Sequence, residues 1–210
     1  MKFQNNVKSY LTAIGLGAAA GLLTTVLNLF PYDTLWSFSS IASAFGFWII
    51  TTTLVIYASC SNVNAAVNTF LYLGTMNLVF YSMQGVLGLF LPRFYSVDSF
   101  INWGLLKRFT LLALLCAAVA FVLYYWNRDS KFSSFLYALP LCGLVAELIG
   151  ACVFLWQTHT YLFQLLMDAA GLAFLLSRFW KKAASKPLLL ATAAVGGAAG
   201  AYLFYLPNLL

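Results

Sequence analysis

Residues 138–156 read ALPLCGLVAELIGACVFLW, an apolar run broken by one carboxylate, Glu147, near its middle. A run of this length suits an α-helix crossing a hydrocarbon layer about 30 Å thick at about 1.5 Å per residue. An ionised side chain at that depth costs at least about 2.5 kcal/mol even on lenient insertion scales. Glu147 therefore calls for a partner, a proton or access to water.

The rest of the chain is of the same kind. Of its 210 residues, 63% are hydrophobic and 8% charged, and the mean hydropathy is +0.89. A soluble domain of this size has no use for so much apolar sequence, whereas repeated runs of about 20 uncharged residues are what a bilayer demands. The expected fold class is all-α, a polytopic transmembrane helical bundle in a single domain over residues 1–210. No stretch outside the spans is long enough to fold alone. The net charge of +6 sits in short loops, as topology signals and contacts with anionic lipid do. No Lys/Arg stripe crosses an exposed face, which argues against nucleic acid. Cys60, Cys116, Cys142 and Cys152 form no C-x-x-C pair, and the chain has one histidine. The cysteines read as small buried hydrophobes, and no metal or other cofactor signature is present.

Seven candidate spans are expected, over residues 10–30, 35–58, 63–91, 103–126, 132–156, 159–178 and 187–206. Pro31, the polar stretch 59–64, Pro92, the cluster 127–131, the turn at Gln157 and Thr158, and the segment 181–187 separate them. The first run imitates a signal peptide, but it is longer than an h-region and leads into further spans, so an uncleaved first span is expected. With the N-terminus inside, Lys2, Lys8, Arg128, Lys131, Arg178, Lys181, Lys182 and Lys186 fall on the inner side. Arg93, Lys107 and Arg108 fall outside, a positive-inside bias that places the C-terminus outside. Trp36, Trp103, Trp126, Trp156 and Trp180 lie near span ends, where indoles favour the interface.

Spans five and six form a hairpin, with Glu147 ten residues before Gln157 and Asp168 ten residues after Thr158. Both acids then sit about 15 Å below the turn, near the bilayer centre. Pro140, Gly143 and Gly150 share a side with Glu147; Tyr161, Gln164 and Gly171 share one with Asp168. Two carboxylates that meet cannot both be charged cheaply, and one shared proton or one bound cation would remove the repulsion. A substrate, proton or ion site is one reading. Structural hydrogen bonding that holds helices together is the other. Lys107 or Arg108 is a candidate counter-charge, unless both snorkel to the outer headgroups.

In span three, Asn77, Tyr81 and Gln84 follow i, i+4, i+7 spacing. They would line a polar cavity or tie helices together by amide hydrogen bonds worth about 0.6 kcal/mol each. His159, at the outer turn, reads as a wet interfacial group rather than a ligand.

Seven spans invite comparison with microbial rhodopsins, but the last span, LLLATAAVGGAAGAYLFYL (188–206), lacks the lysine that retinal needs; Lys186 precedes it. Four features instead resemble a bacterial family of small seven-span integral membrane proteins of unknown function. They are GLGAAAGLLTTVLNLF (15–30), FYSMQG (80–85), CGLVAELIG (142–150) and SRFWKKAASK (177–186) before a Gly/Ala-rich last span. That resemblance implies a multi-pass protein of a bacterial plasma membrane and supplies no ligand and no catalytic residue. In size the chain also resembles the membrane-embedded substrate-binding subunits of vitamin uptake systems, which usually have six spans.

No H-E-x-x-H, G-x-S-x-G or Walker loop occurs, so an enzyme is not expected, intramembrane aspartyl chemistry included. The expected function is a small permease-like or substrate-binding membrane component with a central acidic site for a small solute, proton or cation. The alternative is an accessory subunit that packs GGAAGAY (196–202), through Gly196 and Gly200, against a partner membrane protein.

Overall fold

Every regular element among the described residues is helical, as the apolar runs demand: lipid satisfies no backbone polar group, so each span must bond its own. The computed structural model describes residues 3–94, 100–127 and 131–205. The long helices are α1 (Val7–Leu27), α4 (Asn62–Gly88), α5 (Trp103–Leu123), α6 (Lys131–Thr158), α7 (Leu162–Trp180) and α8 (Lys186–Phe204); between α1 and α4 lie the short α2 (Ser40–Ser43) and α3 (Gly46–Ala58). Five segments are long and apolar enough to cross a membrane: α1, α5 with the 3-10 turn that extends it to Asn127, α6, α7 and α8. Lys2, Arg128 and the end of the last expected span at Leu206 lie outside the described residues.

The helices group into two compact units, and the division falls within α3. Unit one holds α1, α4 and α5. Its α1–α4 contact is a backbone-to-backbone approach. A Cβ on Gly17 would overlap the Tyr72 carbonyl, and one on Gly21 would lie 2.6 Å from the Met76 carbonyl oxygen. The two helices run in the same direction there, since 17 and 21 meet 72 and 76 in order. GLGAAAG is thus a packing face, where dispersion and close approach replace the hydrophobic effect that lipid removes.

The asparagines of α4 bond mostly to backbone. Asn77 Nδ2 donates to the Phe109 carbonyl at 3.1 Å and Asn62 Nδ2 to the Phe121 carbonyl at 2.6 Å, both on α5. Asn68 Nδ2 donates to Asn64 Oδ1 at 3.0 Å, and the same oxygen accepts from Cys60 N at 3.2 Å. These are interhelical and local ties.

Unit two holds α2, α6, α7, α8 and the first half of α3. Here α8 lies against α6 through a second glycine seam. Added Cβ atoms on Gly196, Gly197 and Gly200 would crowd Cys142, Val145 and Ala146 respectively, and one on Gly150 would meet the Tyr205 ring at 2.7 Å. The helices are parallel and in step. GGAAGAY, expected to receive a partner protein in the accessory reading, is therefore occupied within the chain.

Two expectations need correction. Residues 35–58 do not form one helix. Ala44 is extended (φ −88°, ψ 153°) between α2 and α3, and residues 31–39 are irregular. The reason lies at the start of α7, whose first N–H groups have no partner within the helix. The Leu35 and Trp36 carbonyls accept from Leu162 N at 3.0 Å and Phe163 N at 3.3 Å, and Ser37 Oγ accepts from Tyr161 N at 3.3 Å. A segment spent on capping cannot also be helical. Trp126 is the second correction: it is 1% exposed rather than interfacial, and its ring stacks on Tyr137 at 5.2 Å. The packed aromatic cluster, completed by Phe179, encloses the ring and takes it out of an interfacial position. The α6–α7 turn also falls slightly later than expected, at 159–161, with positive φ at His159 (54°) and Tyr161 (68°).

Candidate functional site

The break between α2 and α3 brings two free ends of backbone into unit two, and both acids are there. Glu147, on α6 and 6% exposed, accepts from the Phe45 N–H through Oε2 at 3.2 Å and from the Tyr205 hydroxyl through Oε1 at 2.5 Å. The Gly46 amide also faces this carboxyl. Glu147 thus supplies the cap that α3 lacks in its own sequence. An acid at a helix N-terminus gains about 0.3–1 kcal/mol, and up to about 2 when partly buried, which offsets part of its desolvation.

Asp168, on α7, is fully buried. Its Oδ2 accepts from Gln164 Nε2 at 2.8 Å, one helical turn back, and Gln164 Oε1 accepts from Ser40 Oγ on α2 at 3.3 Å. Oδ1 has no hydrogen-bond partner. It lies against Gly46, where an added Cβ would overlap it and would meet Gln164 Nε2 at 2.6 Å. The two carboxyls are not bonded to each other. They converge on one glycine from two helices, and neither has a basic partner among the described residues.

Beside Glu147 opens a cavity of about 490 Å³. Its wall includes Glu147, Gln164, Tyr161, Tyr205, Phe154 and Cys142, while Asp168 stands behind it. The Phe154 ring stacks on Tyr161 at 5.0 Å and meets Tyr205 edge-on at 6.3 Å. Such an arrangement can hold a ligand by one carboxylate and several aromatic faces.

Of the residues singled out in the sequence, Glu147, Asp168, Gln164 and Tyr161 thus come together. Asn77, Tyr81 and Gln84 belong to α4 in unit one, where Asn77 ties α4 to α5, Tyr81 is buried beside the Phe109 ring at 5.9 Å, and Gln84 is half-buried. Lys107 and Arg108 are exposed on α5 in the same unit. Sequence reading missed Tyr205 and the Phe45–Gly46 backbone. The one signal for the latter was the serine-rich SFSSIASAFG (37–46), whose hydroxyls compete with helical bonding.

Tyr205→Phe should remove the hydroxyl that Glu147 accepts from while keeping the ring. Hydrogen bonds to charged groups are worth about 1.5–3 kcal/mol. The variant is expected to unfold earlier in a detergent denaturation series by that amount. A shift below about 0.5 kcal/mol would remove Tyr205 from the site.

No protein-family model matches the chain, and no curated protein or solved structure matches it.

Proposed function

We propose that this chain is a seven-crossing protein of a bacterial plasma membrane, N-terminus inside and C-terminus outside. In this reading it acts as a small permease-like or substrate-binding component rather than as an enzyme. The five long apolar segments supply five crossings, and the distribution of Lys and Arg supports the orientation. α4 supplies a sixth: its 27 residues extend about 40 Å, and the side-chain amides of Asn62, Asn68 and Asn77 donate within unit one. The broken α2–α3 segment, with residues 31–39, is the remaining crossing. Discontinuous helices at membrane depth are tolerated where they line a cavity or are buried in protein, and their free ends bind ligands.

One observation carries the binding reading: two buried acids, with no basic partner among the described residues, converge on Gly46 beside a cavity large enough for a small solute. Buried acids that served only to hold helices together would not need the space. The accessory reading loses ground because its Gly/Ala face already packs on α6.

Cys142 lines the cavity, whereas Cys152 is exposed on the outer surface of the same helix. Thiol reagents attack the hydrated thiolate, so a thiol facing lipid reacts slowly. With the other cysteines replaced, Cys142 should react with a charged methanethiosulfonate at least about tenfold faster than Cys152 alone in the same proteoliposomes. Equal rates would mean that the cavity is closed to water and solute, and the binding reading would fall.

A further inference from the structure

The cavity wall holds one carboxyl group, that of Glu147, and five aromatic residues: Phe45, Phe154, Tyr161, Phe204 and Tyr205. Both Glu147 oxygens are held in place by donors that belong to the protein fold, the Phe45 amide and the Tyr205 hydroxyl. The carboxyl is therefore pre-positioned, and its remaining acceptor capacity is open. Behind it stands Asp168 with Oδ1 unpartnered and the side chain fully buried. Among the described residues, no Lys or Arg lines the cavity.

Four ligand classes can be weighed against this wall. An anion meets one acid and, behind it, a second. A divalent metal finds no group of three His, Cys, Asp or Glu among the described residues. A neutral apolar molecule offers the carboxyl no donor and leaves its open acceptor capacity unused. A protonated amine with an apolar body meets each demand. Its ammonium group donates to Glu147, the aromatic rings that line the wall favour a cation over an anion, and its body fills an apolar space of ordinary ligand-site size.

We propose that the cavity beside Glu147 binds a protonated organic amine with a compact aromatic or branched apolar body, its ammonium group held at Glu147. This rests on the binding reading given above and names the ligand class for that same site.

Three probes of one size separate the classes: 2-phenylethylammonium, neutral 2-phenylethanol and anionic phenylacetate. They are tested at neutral pH by protection of Cys142 from the methanethiosulfonate and, independently, by thermal stabilisation of the purified full chain. The ammonium should half-protect Cys142, and raise the melting temperature, at a concentration at least about tenfold below that of the alcohol, with phenylacetate inactive. Glu147→Gln should abolish that preference. Phe154→Leu, which keeps the acid, should weaken the ammonium by about threefold or more and the alcohol less; it serves as the test should the Glu147 variant fail to fold.

Equal action of ammonium and alcohol on the wild type would overturn the amine assignment while leaving the cavity a binding site. Protection by sodium or potassium at the same concentration would overturn it in favour of an inorganic cation. If Cys142 reacts rapidly but no probe protects it or shifts the melt, the assignment fails and the open cavity stands. If Cys142 also reacts no faster than Cys152, both readings fail.

Discussion

Gly46→Val should be among the most damaging single substitutions in unit two. Its Cβ would overlap Asp168 Oδ1 and press on Gln164 Nε2, on two buried side chains that are joined through Asp168 Oδ2. Overpacking a filled interior costs about 1–3 kcal/mol, and breaking a buried hydrogen bond to a carboxylate adds about 1.5–3. A loss of roughly 3–5 kcal/mol on unfolding in mixed detergent is therefore expected. Gly74→Ala is the control. Nothing lies within 4 Å of its added Cβ, and alanine in a helix interior should gain up to about 1 kcal/mol. Pairing Gly46→Val with Asp168→Ala removes the atom that is struck, so the double variant should be less damaged than the sum of the singles. Simple additivity would mean that Gly46 is required for backbone shape and not for room around Asp168.

The second large effect is expected in unit one. At Gly17 and Gly21 the obstacles are the carbonyls of Tyr72 and Met76, and a carbonyl within a helix cannot swing aside as a side chain can. Gly17→Leu must push α1 away from α4, which forfeits the close contact along the seam. We expect a loss of at least about 2–3 kcal/mol. Gly15→Leu, where nothing lies within 4 Å of the added Cβ, should be near neutral. The readout is the same denaturation series, with cross-linking between cysteines introduced on α1 and α4 as a direct report of the seam. Equal behaviour of the two leucine variants would show that α1 packs through another face.

What could be read in the sequence was governed by period and depth. Apolar length placed the long helices to within a few residues, and counting outward from one turn placed Glu147 and Asp168 in the same region. The failures have one physical source, competition decided by tertiary partners. SFSSIASAFG contains nothing that forbids a helix; it is broken because α7 takes the Ser37 hydroxyl and the Leu35 and Trp36 carbonyls just before it, and Glu147 takes the Phe45 amide. Trp126 looks interfacial by position, yet Tyr137 and Phe179 enclose it. The stripe around Gly196 and Gly200 reads equally well as a seam for a foreign helix or for a neighbour, and only the fold shows that α6 fills it. Tyr205 gave no signal at all, because a tyrosine at the end of a span is ordinary until an acid is found beneath it.

The separation of 58 residues between Glu147 and Tyr205 has a consequence for how the protein is made. A ribosome adds about 5–20 residues per second, so α6 is synthesised several seconds before the hydroxyl that its acid will accept from. During that interval the Phe45 amide, made long before, is the donor already in place for this carboxyl. Arrival of α8, zipped onto α6 by its glycines, is then the step that completes the site, and a chain halted before Tyr205 would carry an acid held by backbone amides alone.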